Sequence, residues 1–310
     1  MNDNNLVATR EGFGEGLVGA GKLNKKVVVL CADLTESTKV DKFKDNFLER
    51  YFQIGVAEQN MAGIATGLAL EGFVPFVASY GVFNPGRNWD QIRVSICYSN
   101  ANVKIIGAHA GISVGPDGAT HQALEDIAIT RVLPNMIVVN PCDAIEAKKA
   151  TLAIAKHVGP SYLRLARSNT SIITNDQTPF VLGKANILQE GSRLTVISSG
   201  PILSEVVKAV RDIPEIELIN LHTIKPIDKN AIINSARKTG KVLVVEEHQV
   251  AGGVGSAVCE VLAESCPVPV KLLGINDSFG ESGTPDQLLK KYGIDRESIK
   301  IEINKLLKNE

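Results

Sequence analysis

Two histidines and an aspartate lie close together in the segment HAGISVGPDGATHQ, which spans residues 109–122. The segment follows an apolar run at 103–108, so it begins where a predicted strand ends, the usual ligand position in open α/β sheets. His109, Asp117 and His121 do not match the helical HExxH pattern of zinc sites, and a third ligand is not evident. Imidazoles that bind a polyhydroxylated substrate or move a proton fit the pattern better. The other interpretation is a polar surface loop.

A single acid, Glu58, separates an apolar run from a helix-like segment in the sequence QIGVAEQN, residues 53–60. Apolar residues then recur on one face and predict a helix over 58–70. The helix dipole favours an acid in the first turn, so Glu58 is either an ordinary surface glutamate or a residue with a chemical task. Tyr80 and Phe83 follow the next apolar run, and they are either core residues or the lining of a pocket for a flat ring.

The elements that must position these residues alternate regularly. Short β-branched runs predict strands at 27–32, 74–79, 103–108, 136–140 and 162–166. Amphipathic segments between them predict helices at 9–20, 58–70, 87–98, 123–133 and 144–157. Nearly all-apolar strands separated by helices indicate a parallel sheet that is covered on both faces.

A polar, turn-rich stretch over 168–182 interrupts this pattern, and we interpret it as an interdomain linker. A second series follows, with strands predicted at 194–198, 217–220, 242–246 and 270–274. Its helices are predicted at 203–211, 228–239, 253–265, 285–291 and 296–307. We therefore predict an α/β protein of two domains, residues 1–175 and 183–310, each a mostly parallel sheet covered by helices.

The composition argues against several classes of protein. The 310 residues carry a formal net charge of -1 without a long basic run, so neither nucleic acid nor an anionic membrane surface is expected as a partner. No apolar run reaches the roughly 20 residues of a membrane-spanning helix, and residues 1–10 lack a signal-peptide pattern. Five scattered cysteines without a CxxC pair indicate reduced thiols and a cytoplasmic setting.

The glycine-rich stretch 252–255 is interpreted as turn packing rather than as an anion site.

Six segments along the chain carry a resemblance to a known family. They are IGVAEQNMAGIATGLALEGFVPFVASY, VFNPGRNWDQIR, AHAGISVGPDGATHQALEDIA, LPNMIVVNPCDAIEA, LHTIKPID and VVEEHQVAGGVGSAV. The first four resemble the pyrimidine-binding domain of transketolase, and the last two resemble its C-terminal domain. The chain lacks the GDG sequence with which the family binds the diphosphate of thiamine diphosphate and its metal. The resemblance therefore implies the C-terminal subunit of a split transketolase, with the diphosphate-binding N-terminal half on a partner chain.

The resemblance assigns cofactor roles to four residues. The carboxyl of Glu58 is expected to hydrogen-bond N1′ of the cofactor's aminopyrimidine and to help activate the thiazolium, a task that a buried, water-poor position would suit. Tyr80 and Phe83 match the aromatic cluster around that ring, where the family usually has phenylalanine at the position of Tyr80. Asp33 is expected near the cofactor at the subunit contact. No metal ligand is assigned to this chain, and Mg2+ (or Ca2+) is expected to be held mainly by the partner.

The resemblance also implies a sugar-phosphate site. His109 and His121 match catalytic histidines that contact the donor's oxygens near the reacting carbons, and Asp117 matches an aspartate that reads the C2 hydroxyl configuration. The residues expected to grip the phosphate are Arg10, Ser37 and Arg167. An arginine fork suits the geometry of phosphate oxygens.

The implied function is the transfer of a two-carbon ketol unit from a ketose phosphate to an aldose phosphate by a heterotetramer of two subunits of each kind. The alternatives are the β-subunit of a 2-oxo acid dehydrogenase, one half of a deoxyxylulose-phosphate synthase, or a non-catalytic regulatory subunit. His109 and His121 together favour a sugar substrate over an oxo acid, and His109 is not expected in the synthase. The retention of Glu58, both histidines and Asp117 argues against a subunit without catalytic function.

Overall fold

The computed structural model describes residues 6–308, so the predicted domain ends at residues 1–5 and 309–310 lie outside it. The strands of this part are β1 (Leu6–Val7), β2 (Val27–Cys31), β3 (Tyr51–Gln53), β4 (Val74–Tyr80), β5 (Lys104–Ala108), β6 (Ile137–Val139), β7 (Ser161–Arg164), β8 (Thr170–Ser171), β9 (Asn186–Gln189), β10 (Leu194–Ser198), β11 (Ile216–Asn220), β12 (Thr223–Lys225), β13 (Val242–Gln249) and β14 (Val270–Ile275).

The α-helices are α1 (Thr9–Leu23), α2 (Thr35–Thr38), α3 (Asp41–Asn46), α4 (Glu58–Leu70), α5 (Trp89–Gln91), α6 (Asp126–Arg131), α7 (Ala144–Lys156), α8 (Leu203–Val210), α9 (Lys229–Thr239), α10 (Val254–Ser265), α11 (Pro285–Lys291) and α12 (Arg296–Lys308). A π-helical segment (Ile92–Tyr98) continues α5, and 3-10 turns lie at Leu48–Arg50 and Ile112–Asp117. Most predicted elements are present within a few residues of their predicted limits. The helix predicted over 123–133 is shorter than expected, and residues 87 and 88 belong to a turn rather than to a helix.

The first sheet has seven strands in the order β12-β6-β7-β5-β4-β2-β3. All neighbouring strands from β6 to β3 run parallel, whereas β12 is antiparallel to β6. Strand β12 comes from residues beyond the predicted linker and pairs at the edge of this sheet. The limits of 1–175 and 183–310 for the two domains stay a prediction. The linker itself contains β8, which pairs with β1.

The second sheet has five strands in the order β14-β13-β10-β11-β9, parallel except for β9 at the edge. Helices lie on both sides of each sheet, and the central strands are buried along their whole length. Both sheets are therefore of the predicted α/β type. Leu30 and Val77 of the first sheet share one buried apolar cluster with Ile197 and Val244 of the second. The two halves of the chain are thus packed together through a common core.

Helices α1 and α7 pack closely because glycine lines their contact. A β-carbon at Gly12 would overlap the carbonyl oxygen of Ala144, and one at Gly16 would press on Lys148 and Thr151. This contact fixes the start of α1 beside the carboxyl ends of the parallel strands. Within residues 6–308, no helix is both long enough and apolar enough to cross a membrane.

Candidate active site

Glu58 is the first residue of α4 and is buried, with 1% of its surface exposed. Its Oε1 accepts a hydrogen bond of 3.1 Å from the Ser79 hydroxyl, and its Oε2 accepts one of 2.6 Å from Nη1 of Arg87. Asn88 donates to the backbone carbonyl of Glu58, which holds the start of the helix in place. Glu58 is therefore not the ordinary surface acid of a first helical turn. Sequence reasoning missed both Ser79 and Arg87, which lie beyond helical reach of Glu58.

Four rings form a continuous group beside Glu58. The ring of Tyr80 stacks on His109 at 4.0 Å between centroids and lies 6.1 Å from the nearly parallel ring of Phe83. His121 meets Tyr80 and Phe83 edge-on, at 6.0 and 5.6 Å. The guanidinium of Arg87 lies over Phe83 at 4.5 Å, so the ring group is joined to the carboxyl of Glu58 through Arg87. Tyr80 and Phe83 thus lie at the site and not in the domain core.

His109 stacks on Tyr80 and also has a strained backbone conformation. It follows β5 with φ of 54°, a left-handed conformation that non-glycine residues adopt rarely and mostly where surrounding structure imposes it. Its Nε2 lies 3.4 Å from Nη1 of Arg10, which also donates to the backbone carbonyl of Ser37 at 2.9 Å. The predicted Arg10 is therefore at the site, while Ser37 contributes its carbonyl oxygen to this contact rather than its hydroxyl.

Burial lowers the pKa of His109 to about 3, and the positive charges of Arg10 and Arg167 with the nearby His121 add to the effect. The imidazole is consequently neutral at physiological pH. A neutral imidazole can donate from one nitrogen and accept at the other, so it can bind a hydroxyl or carbonyl oxygen without carrying charge into the site.

The loop after His109 holds the remaining predicted substrate residues. Arg167 follows β7, donates to the carbonyl of Val114 at 2.9 Å and lies 3.6 Å from the carboxylate of Asp117. His121 closes the loop, with Nδ1 2.9 Å from the hydroxyl of Thr120. Arg167 and Asp117 are each about one-third exposed, so both can reach solvent and ligand.

The second half of the chain supports this loop from behind. Ser113 donates its backbone N–H to the buried carboxyl of Glu247 on β13. Gln122 donates to the carbonyls of Ile112 at 3.1 Å and Glu281 at 3.0 Å. Gly111 has φ of 93°, and a β-carbon there would overlap the carboxyl of Glu247. The loop with the predicted substrate residues is therefore held between the two sheets, which no local sequence pattern indicates.

A buried charge network anchors the other end of the loop. Arg164 donates to the Asp126 carboxylate at 2.8 Å and to the backbone carbonyls of Ala123 and Glu247. The hydroxyl of Tyr162 donates to the same Asp126 oxygen at 2.7 Å. Since Arg164 and Asp126 are 3% and 2% exposed, this pair links β7, α6 and β13 away from water.

Asp33 is the predicted residue that is least connected to the others. It follows β2 with an exposed side chain and φ of 58°, and its backbone N–H donates to Gln53. Its carboxylate makes no hydrogen bond to any other residue in the described range, 6–308. The same part of the chain contains no group of three or more histidine, cysteine, aspartate or glutamate side chains arranged to hold a metal ion. Gly253 and Gly255 pack against Glu246, which accepts hydrogen bonds from Val254 and Gly255 at the start of α10, whereas Gly252 faces Ala128.

Two family models match the chain. The model of the transketolase pyrimidine binding domain matches residues 5–172, and the model of the transketolase C-terminal domain matches residues 183–299. The chain belongs to the transketolase family. Membership confirms the predicted family, and thiamine diphosphate is the cofactor that this family implies.

Two relatives of comparable length, together with a full-length transketolase, support a correspondence to one part of transketolase. A protein of Methanocaldococcus jannaschii described as a transketolase C-terminal section is 45% identical over 97% of this chain and 96% of its own length. Human transketolase is 35% identical over 94% of this chain and 48% of its own length. A solved structure described as a split gene transketolase, inactive β4 tetramer, is 43% identical, covers 97% of this chain and 98% of its own, and has a TM-score of 0.90. The predicted α/β fold class is thus confirmed.

The residues described above can now be compared with the cofactor that the transketolase family implies. The buried carboxyl of Glu58 at a helix start and the aromatic rings beside it suit the edge and the face of the cofactor's aminopyrimidine. The roles assigned to individual residues stay predictions, including those of Asp33 and Ser37.

Proposed function

We propose that this chain is the C-terminal subunit of a thiamine-diphosphate-dependent transketolase that works together with a separate diphosphate-binding subunit. The complex transfers a two-carbon ketol unit from a ketose phosphate to an aldose phosphate. One observation carries the proposal: the carboxyl of Glu58, the rings of Tyr80 and Phe83, and the imidazoles of His109 and His121 converge at one edge of a transketolase-type sheet.

The residues of the chain divide the work between cofactor and substrate. When bound, thiamine diphosphate supplies the carbanion-stabilising chemistry that breaks and forms the carbon–carbon bond. Glu58 holds the proton at a pyrimidine nitrogen, and the buried Ser79 hydroxyl keeps that carboxyl oriented. Phe83 and Tyr80 offer ring faces against which a flat heterocycle packs.

The proposed substrate residues either belong to the ring group, as His109 does, or lie next to it, as Arg10 does. His109, neutral because its pKa is lowered to about 3, binds a sugar oxygen as donor or acceptor. Asp117 binds a sugar hydroxyl from the supported loop. Arg10 and Arg167 provide the positive charge for the phosphate, and their mutual repulsion contributes to lowering the pKa of Arg10 after the larger effect of burial.

A partner subunit supplies the diphosphate and metal ligands in this proposal. The chain corresponds to about half of human transketolase. Part of the surface of α4 is open to solvent, with Ile64 39% and Leu70 68% exposed, and it offers apolar surface for the partner. The related solved β4 tetramer is described as inactive, which agrees with a chain that self-associates but needs its partner for activity. We propose a complex of two subunits of each kind in the cytoplasm.

The test is reconstitution with the proposed diphosphate-binding subunit, in the presence of thiamine diphosphate and Mg2+. Xylulose 5-phosphate and ribose 5-phosphate should yield sedoheptulose 7-phosphate. Glu58→Gln should fold normally and lose orders of magnitude in turnover, whereas Glu297→Gln, which changes an exposed acid in the first turn of α12, should not. A well-formed complex that makes no sedoheptulose 7-phosphate contradicts the proposal. Activity on pyruvate instead would favour the dehydrogenase or synthase alternatives.

A further inference from the structure

Arg87 makes two contacts that together define a small binding site. Its Nη1 donates to Oε2 of Glu58 at 2.6 Å, and its guanidinium carbon lies 4.5 Å from the ring centre of Phe83. The guanidinium thus donates an N–H to a buried carboxyl while it lies over an aromatic ring. Arginine suits both contacts, because its guanidinium is flat, carries N–H donors in its plane and stacks on aromatic faces.

A protonated aminopyrimidine has the same chemistry as this guanidinium. Both are flat, delocalised cations with N–H donors at the edge and a face that stacks on aromatic rings. Within the proposed function, such a ring is held through its edge by Glu58 and through its face by the aromatic residues. Arg87 and the cofactor's ring therefore compete for Oε2 of Glu58 and for the face of Phe83.

We propose that Arg87 is a stand-in for the cofactor's aminopyrimidine: it occupies Glu58 and Phe83 in the cofactor-free subunit and swings out when the ring binds. The inference rests on the proposed function. It adds a residue that controls cofactor entry and that has no part in the chemistry.

The burial of the two partners explains why a stand-in is needed and why it can leave. Glu58 is 1% exposed and a buried carboxylate without a partner is costly, so some cation must remain beside it. The side chain of Arg87 is 43% exposed, and its backbone lies in the turn formed by residues 81–88. Arg87 can therefore rotate into water and regain its hydration, while Glu58 exchanges one cationic partner for another.

The test measures cofactor binding to the reconstituted complex rather than turnover. Arg87→Met removes the charge and the N–H donors at similar side-chain length. Arg87→Gln keeps a weaker, neutral donor and serves as the second variant in case the first does not fold. The matched control is Arg93→Met, an exposed arginine on the adjoining π-helical segment. Stopped-flow tryptophan fluorescence, to which this chain contributes Trp89, gives the association rate of thiamine diphosphate, and calorimetry gives its Kd.

Both Arg87 variants should bind thiamine diphosphate about three- to ten-fold more tightly and associate faster, because the competing closed state is gone. Arg93→Met should match the wild type. In an Arg87→Ala complex, guanidinium chloride at non-denaturing concentrations should weaken cofactor binding more than potassium chloride does. Unchanged or weaker binding by folded Arg87 variants overturns the inference and would make Arg87 a support of Glu58. A wild-type complex that binds no thiamine diphosphate overturns the proposed function itself.

Discussion

Removal of the Glu247 carboxyl should weaken substrate binding from a distance. Glu247 lies on β13 in the second sheet, yet it accepts the backbone N–H of Ser113 in the loop that leads to Asp117. The two residues are 134 positions apart in the chain. Because Glu247 makes no contact with the ring group at the site, any kinetic effect of Glu247→Ala must act through the position of the loop.

The size of the effect follows from the burial of the two groups. Ser113 is 6% exposed, and a buried N–H that loses its acceptor costs about 1–3 kcal/mol. Glu247 also lines a cavity of about 260 Å3, from which water can reach the N–H and bring the cost to the lower end of that range. We expect Glu247→Ala to raise the KM for the ketose phosphate about ten-fold, which corresponds to about 1.4 kcal/mol.

The adjoining residue is a matched control. Glu246 is equally buried, but its side chain points to the opposite face of β13, where it accepts the N–H groups of Val254 and Gly255. Glu246→Ala should therefore lower the free energy of unfolding by a similar or larger amount and leave the KM unchanged. Urea unfolding of both variants and steady-state kinetics of the reconstituted complexes provide the two measurements. Equal KM values for the variants, whether raised or unchanged, would refute the assignment of a positioning role to Glu247.

Three further predictions concern stability and pH. A β-carbon at Gly63 or Gly67 meets no atom within 4 Å. Alanine at either position should therefore raise the free energy of unfolding of the isolated chain by about 0.5–1 kcal/mol in denaturant titrations. A lower free energy of unfolding would be inconsistent with an open helix face. The pKa of His109 is lowered to about 3, so the unfolded chain binds a proton that the folded chain does not, and stability should fall as the pH drops from 6.5 towards 3. This component, about 1.4 kcal/mol per pH unit, should be missing in His109→Asn. Arg164→Met strands the buried Asp126 and should lower the free energy of unfolding by about 3–5 kcal/mol, measured by urea unfolding; a loss below 1 kcal/mol would contradict the buried pair.

The regular elements were accessible to sequence reasoning because their patterns are local. The buried strand β2 is a continuous apolar run, β10 is mostly apolar, and α7 and α9 show helical periodicity after an aspartate cap. Short elements were missed, among them β3 and β12, since three-residue strands carry almost no pattern of their own. Strand β12 exists through its pairing with β6, which depends on how the two halves of the chain pack.

The sequence by itself determined the fold class, the family, the position of Glu58 at a helix start and the positions of Tyr80 and His109 at the ends of predicted strands, because each depends on residues close together in the chain. Only the tertiary structure decided what these residues touch. The pairing of Glu58 with Arg87, and the support of the Ser113 loop by Glu247, join segments that are 29 and 134 residues apart. Contacts of this kind depend on sheet order and on the packing of one half of the chain against the other, which local patterns do not specify.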